Sequence, residues 1–146
     1  GVIKEYNSKP SPLLISDLML GSHVTPPSLM IKRDVINALG GFDESFKSSE
    51  DYEFSIRLVK ANYKIGFVAY PLVLVRRENH GNLSSNGLKT LKGHLQLIQK
   101  HRTTFLQISG INGVRRFLAK SVMESGSKLG GIRGKVVYYF GRIMGL

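Results

Sequence analysis

Apolar and polar positions along this chain fall into blocks whose period changes from one element to the next. Residues 1–12 are polar and proline-punctuated, and read as a linker or a cut edge. Residues 13–20 have the apolar density of a short helix, which ends in a loop over 21–27 broken by Pro26 and Pro27. A brief apolar strand is expected at 28–32, then a helix from Arg33 or Asp34 to Leu39. Gly40 is the expected left-handed cap of that helix, and Gly41 is expected to let the backbone approach a neighbour closely. Phe42 should then fill the core, with Asp43 and Glu44 turned outward.

The next block, 50–62, carries Tyr52, Ile56, Val59 and Tyr63 at helical spacing, with Phe54 and Leu58 on a second stripe. Such a helix is covered on more than one side. Ser48 or Ser49 suits its N-cap. Residues 65–70 and 72–75 are rich in β-branched and aromatic side chains and read as strands separated by Pro71.

Beyond residue 87 the period is helical throughout and glycines punctuate it. Leu88, Leu91, Leu95, Ile98, Phe105 and Leu106 form one stripe. Ile111, Val114, Phe117, Leu118 and Val122 form a second, with Arg115, Arg116 and Lys120 away from it. Val136, Tyr139, Phe140 and Ile143 form a third, flanked by Lys135 and Arg142.

Charge changes this picture because it is unevenly placed. Residues 1–87 hold ten Lys or Arg against nine Asp or Glu, whereas 88–146 hold eleven against Glu124 alone, a net of +10 out of +11 for the chain. Basic faces over aliphatic and aromatic undersides suit an anionic membrane surface. They suit equally well a tail that packs on the rest of the chain, or on a second copy, with solvated charge outside. Nucleic acid is disfavoured by the near-neutral first 87 residues and by the lack of a recognisable binding motif. With no cysteine among 146 residues, disulfides and thiolate metal sites are excluded. The apolar run at 136–140 is far too short to span a bilayer.

Candidate chemistry centres on Glu50 and Asp51, which open the 50–62 helix. A first-turn carboxylate is held ionised by the positive end of the helix dipole and by free backbone N–H groups, so it can act as a base. From spacing alone the favoured reading is the plainer one, an acidic pair that serves only as dipole partner. Glu53 and Arg57 stand four apart, in the order expected of a surface helix ion pair. Arg76, Arg77 and His80 leave the expected last strand and enter the turn-rich GNLSSNG loop. His23, His94 and His101 have no partner pattern and receive no role.

Three stretches together carry a resemblance: SLMIKRDVINALGGFDESF, then SSEDYEFSIRLVKANYKIGFV, then PLVLVRRENHGNLSS. Between about Thr25 and Asn86 the chain resembles the second half of the catalytic domain of family 2 inverting glycosyltransferases, with GGFDE, an ED pair and R-x-x-x-H-x-x-x-S in the family's order. The resemblance implies an α/β fold, a partial GT-A domain over 1–87 followed by a basic helical tail over 88–146. It implies a nucleotide-sugar donor and a sugar or lipid-linked sugar acceptor, in cell-surface polysaccharide or glycolipid synthesis. Asp51 is implied as the base and Glu50 as an acceptor-orienting group. Gly41 is implied beside the substrate, Arg76 and Arg77 on the donor phosphates, and His80 on a divalent metal, Mg²⁺ or Mn²⁺. No Asp-x-Asp occurs in the chain, so the principal metal ligands are expected on a preceding half, and the chain is read as a C-terminal fragment, inactive alone. The implied location is the cytoplasm, peripheral on the inner face of the plasma membrane. The alternatives are a non-catalytic basic module that binds a membrane surface or nucleic acid, with the acidic pair only a helix cap, and a scaffold.

Overall fold

The computed structural model describes residues 11–70, 72, 73 and 86–145. Among the described residues six α-helices succeed one another: α1 Ile15–Leu18, α2 Arg33–Leu39, α3 Glu50–Lys60, α4 Gly87–Lys100, α5 Arg102–Leu129 and α6 Gly131–Gly145, with a 3₁₀ turn at Pro26–Ser28. The chain divides into two compact units, one of Gly1–Asp43 with Asp51–Glu78, the other of Glu44–Glu50 with Asn79–Leu146.

No strand occurs among the described residues, so the α/β expectation is not met there. Residues 28–32 pass from the 3₁₀ turn into irregular chain. Residues 65–67 run beside 11–13 through one backbone bond, Leu13 N–H to the Ile65 carbonyl at 2.9 Å, and one from Phe67 N–H to Ser11 Oγ at 3.2 Å. A strand is a property of a pair, and β-branched composition without a neighbouring ladder leaves the chain irregular. Of the second expected strand, 72–75, residues 72 and 73 are described and irregular, and 74 and 75 lie outside the described residues.

In the first unit α2 ends as expected, at Gly40 with φ 72°. The Gly40 N–H reaches the Asn37 carbonyl at 3.2 Å and the Gly41 N–H reaches that of Ile36 at 3.0 Å, a Schellman closure. The α3 helix closes in the same way on Asn62, at φ 63°, with Tyr63 N–H on the Leu58 carbonyl at 3.0 Å. Between those ends α3 is covered all round: Tyr52, Glu53, Phe54, Ser55, Ile56 and Leu58 are buried, with Leu13, Leu18, Met19 and Val24 completing the apolar core of the unit. Phe42 does not fill that core. It is 43% exposed and stacks on Phe54 with ring centroids 4.9 Å apart.

The Glu53–Arg57 pair is far more than a surface ion pair. Glu53 is fully buried, and Arg57 Nε donates to both of its carboxylate oxygens at 2.9 Å. The other guanidinium nitrogens donate to the carbonyls of Leu39 at 2.6 Å and Gly41 at 2.7 Å. One rigid fork thus neutralises a buried charge and caps two carbonyls at the end of α2.

In the second unit Asn86 caps α4, its side chain accepting from Lys89 N–H at 3.0 Å. Leu97, Phe105 and Phe117 form the centre, the two phenylalanine rings 5.1 Å apart. The expected stripes are only partly the buried ones. Leu88, Leu95, Leu106 and Ile111 are exposed, while α4 turns Gly87, Thr90, Gly93 and Leu97 inward. The α5 helix breaks at Gly110, whose φ is 62°. Its second half turns Phe117, Ala119, Ser121, Ser125 and Gly126 inward.

His94, to which the sequence assigned no role, bonds Ser121 Oγ through Nδ1 at 2.9 Å and lies 5.3 Å from the Phe117 ring. Burial pushes its pKa down, Lys128 and Lys120 push the same way, and Glu124 opposes them. The neutral ring is therefore the folded form.

These contacts generate two predictions. Arg57→Met keeps the stem and deletes the fork, leaving Glu53 buried without the guanidinium; a loss of about 3 kcal/mol is expected in urea unfolding monitored by tyrosine fluorescence. A loss below about 1 kcal/mol would show that the fork does not hold the unit together. His94 contributes stability that is intact above its unfolded pKa of about 6.5 and lost as pH falls toward its lower folded value. Between pH 7.5 and 5.5 the melting temperature of the wild type should therefore drop more than that of His94→Gln, and parallel pH curves would contradict this.

Candidate active site

Gly40 and Gly41, the first two residues of GGFDE, form the turn that follows α2, and the Gly41 carbonyl is gripped by Arg57 of α3. Gly41 has φ 71°, and nothing lies within 4 Å of where its Cβ would stand. Glycine is thus required there by the left-handed backbone, and the expected close approach to a neighbour is not what the structure contains.

Within the second unit, residues 44–50 lie along α4. Phe46 is buried and has Lys100 Nζ 5.6 Å from its ring centroid, and Gln96 Nε2 donates to Ser45 Oγ at 3.1 Å. Gly93 makes room for the segment: a Cβ there would meet the Ser48 carbonyl oxygen at 2.6 Å and Ser49 Oγ at 2.9 Å. Ser49, directly before the helix, has φ 65° instead of the β-region backbone of an ordinary N-cap. A left-handed serine costs about 1 kcal/mol and persists only where its surroundings over-determine it. The strained residue immediately precedes Glu50.

Glu50 and Asp51 stand in the first turn of α3, as expected, both half-buried. Asp51 Oδ1 accepts from the Tyr52 N–H at 2.8 Å, and the Asp51 carbonyl accepts from Ser55 Oγ at 2.7 Å. The rotation of the helix about its own axis is set by the next residue. Tyr52 is buried and its hydroxyl donates to the Leu18 carbonyl. Burial pushes the Tyr52 phenol well above its ordinary pKa, so it remains a neutral donor. The Asp51 carboxylate is therefore carried on a helix fixed in position and in rotation, at the end where the macrodipole favours negative charge.

Arg76, Arg77 and His80 lie outside the described residues. Among the described residues no three His, Asp or Glu side chains gather into a metal-binding set. A groove of about 320 Å³ by the α5–α6 turn is lined by residues such as Gly130, Gly131, Lys135 and Tyr138, and by none of the expected site residues. Two features were missed in the sequence. The reach of Arg57 to the end of α2 had only its local half signalled, by the i, i+4 spacing to Glu53. Gly93 beneath Ser48 had no signal beyond a glycine inside a helical pattern.

Residues 13–124, about three quarters of the chain, match the family model described as "Glycosyltransferase like family 2". The matched stretch runs through α4 and most of α5, past the span of Thr25 to Asn86 in which the sequence motifs fall. Comparison with curated proteins and with solved structures finds no match.

The packing of residues 44–50 on α4 yields a prediction. Gly93→Ala places a methyl against the Ser48 carbonyl and should destabilise the second unit by about 1–3 kcal/mol, as overpacked sites do. Ser49→Gly, which accepts the same φ without strain, should stay within about 1 kcal/mol of wild type. An unchanged denaturation midpoint for Gly93→Ala would show that α4 does not pin the segment.

Proposed function

The chain belongs to glycosyltransferase-like family 2, and on that premise we propose that it performs the acceptor-side half of an inverting sugar transfer. The family implies a nucleotide-sugar donor and an acceptor in general. The acceptor hydroxyl oxygen attacks the anomeric carbon from the face opposite the leaving group. The bond from that carbon to the nucleoside diphosphate breaks, and the diphosphate departs with the electron pair. The hydroxyl proton passes to the Asp51 carboxylate. Glu50 orients the acceptor beside it.

The observation that carries this reading is the fixed first turn of α3. A general base works only within hydrogen-bond reach of the proton it takes, and misplacement by an ångström is costly. Asp51 is supported on one side by Tyr52 on the Leu18 carbonyl, and its helix is tied by Arg57 to the Gly40–Gly41 turn. The described residues offer no ligand set for a divalent metal. The acceptor is proposed to be a lipid-linked or surface glycan, met at an anionic membrane to which the basic residues 88–146 are drawn.

Asp51→Asn keeps shape and removes basicity. In the intact protein that carries this chain, supplied with its sugar nucleotide and acceptor, the variant should lose about 10²- to 10⁴-fold in transfer rate with its melting temperature nearly unchanged. Transfer within about threefold of wild type would remove Asp51 as the base. A loss of stability with transfer retained would instead make the acidic pair a helix cap.

A further inference from the structure

The outer face of α6 is built against the grain of folding in water. Its contact with α5 is made by glycines: a Cβ on Gly134 would lie 2.5 Å from the Gly126 carbonyl oxygen, and one on Gly141 2.9 Å from that of Ala119. At about 100° per residue, Ile132, Val136, Tyr139, Phe140 and Ile143 share an arc of roughly 100° on the opposite side. Each of the five is between 57% and 83% exposed. A hairpin assembled by apolar burial from water turns its large side chains inward. Small residues between helices with large apolar ones outside is the arrangement of helices whose surroundings are themselves apolar.

No helix of the described residues is long and apolar enough to cross a membrane, so the apolar phase is met along the helix and not through it. The charges agree with that geometry. On the same helical projection Arg133 borders the apolar arc on one side, and Lys135 and Arg142 border it on the other, all three exposed. Cationic side chains so placed lay their stems along the apolar face and keep their charges among headgroups, while aromatic rings such as those of Tyr139 and Phe140 suit the boundary itself. Eleven Lys or Arg against one Glu over residues 88–146 add the long-range attraction.

We infer that α6 docks in the plane of a membrane containing anionic lipid, with the Ile132, Val136, Tyr139, Phe140 and Ile143 face in the boundary between headgroups and acyl chains. The inference rests on the transferase reading only for its purpose, which is to bring the acidic pair to a lipid-linked acceptor. The charge complementarity selects lipid over a second copy of the chain, whose matching face carries the same positive borders.

The test is co-sedimentation of the intact protein with vesicles of phosphatidylcholine alone, and with vesicles of phosphatidylcholine and phosphatidylglycerol in a ratio of about 2:1. Wild type should bind the anionic vesicles at least about tenfold better, with the preference fading near 1 M salt as the Debye length falls to about 3 Å. The double variant Phe140→Ser/Ile143→Ser changes only exposed side chains and leaves the charge intact. It should lose at least about tenfold in vesicle binding while keeping its melting temperature and its transfer to a soluble acceptor. Vesicle binding by the double variant within about twofold of wild type would overturn the inference. So would lipid-free self-association, seen by sedimentation velocity, that the same substitutions abolish. Asp51→Asn should bind vesicles as wild type does; a wild type that transfers sugar but shows no preference for anionic vesicles refutes the docking alone. Transfer independent of Asp51 with docking intact refutes the catalytic reading alone.

Discussion

The guanidinium of Arg57 is the point on which the first unit turns. Its Nε faces a fully buried carboxylate, and its two terminal nitrogens face the carbonyls of Leu39, the last residue of α2, and of Gly41 in the turn beyond it. Each of these groups alone is destabilising in a buried setting, and only a planar, permanently charged fork meets all three at once. Lysine in that place offers a point charge and cannot span a carboxylate and two carbonyls in fixed directions. The Phe54 ring, which Phe42 meets at a tilt of 46°, lies against the same guanidinium, with Arg57 Cζ 5.0 Å from its centroid. The Gly40–Gly41 turn and α3 are therefore one piece, and the carboxylate of Asp51 rides on it.

In the second unit, residues 44–50 are seated on α4 by Phe46, Ser45 and the gap that Gly93 leaves, and Ser49 is held there in a left-handed conformation. Glu50 is the last residue of that segment. The family match takes in α4 and runs on to residue 124. What stands apart is α6, which lies beyond that match and turns its glycines inward.

Much of the helical framework was legible because its signals are local. Periodicity marked α2 and α3, and Gly40 announced its own left-handed cap. The acidic pair fell in the first turn of α3, where the sequence placed it. The irregular course of 28–32 and 65–70 was not legible, because a run such as 65–70 advertises β-propensity without saying whether a ladder partner exists. The faces of α4 and α6 were misread in part because hydropathy counts large apolar residues, whereas close helix contacts are made here by glycine, which carries no such weight. Arg57 showed the same limit: its partner four residues away was readable, and its partners at Leu39 and Gly41 belonged to tertiary structure. Of the expected site, Glu50, Asp51 and Gly41 lie within the described residues, and Arg76, Arg77 and His80 outside them.

The proposed role of Asp51, a base for the acceptor hydroxyl with no enzyme group attacking the sugar, makes the transfer a single displacement from the face opposite the diphosphate. The anomeric configuration of the first product formed, read by proton NMR from the coupling at the anomeric hydrogen, tests this directly in the intact protein with its own donor. Inversion relative to the donor is the predicted result. Retention would require a covalent intermediate or departure and attack on the same face, and would contradict the role given to Asp51.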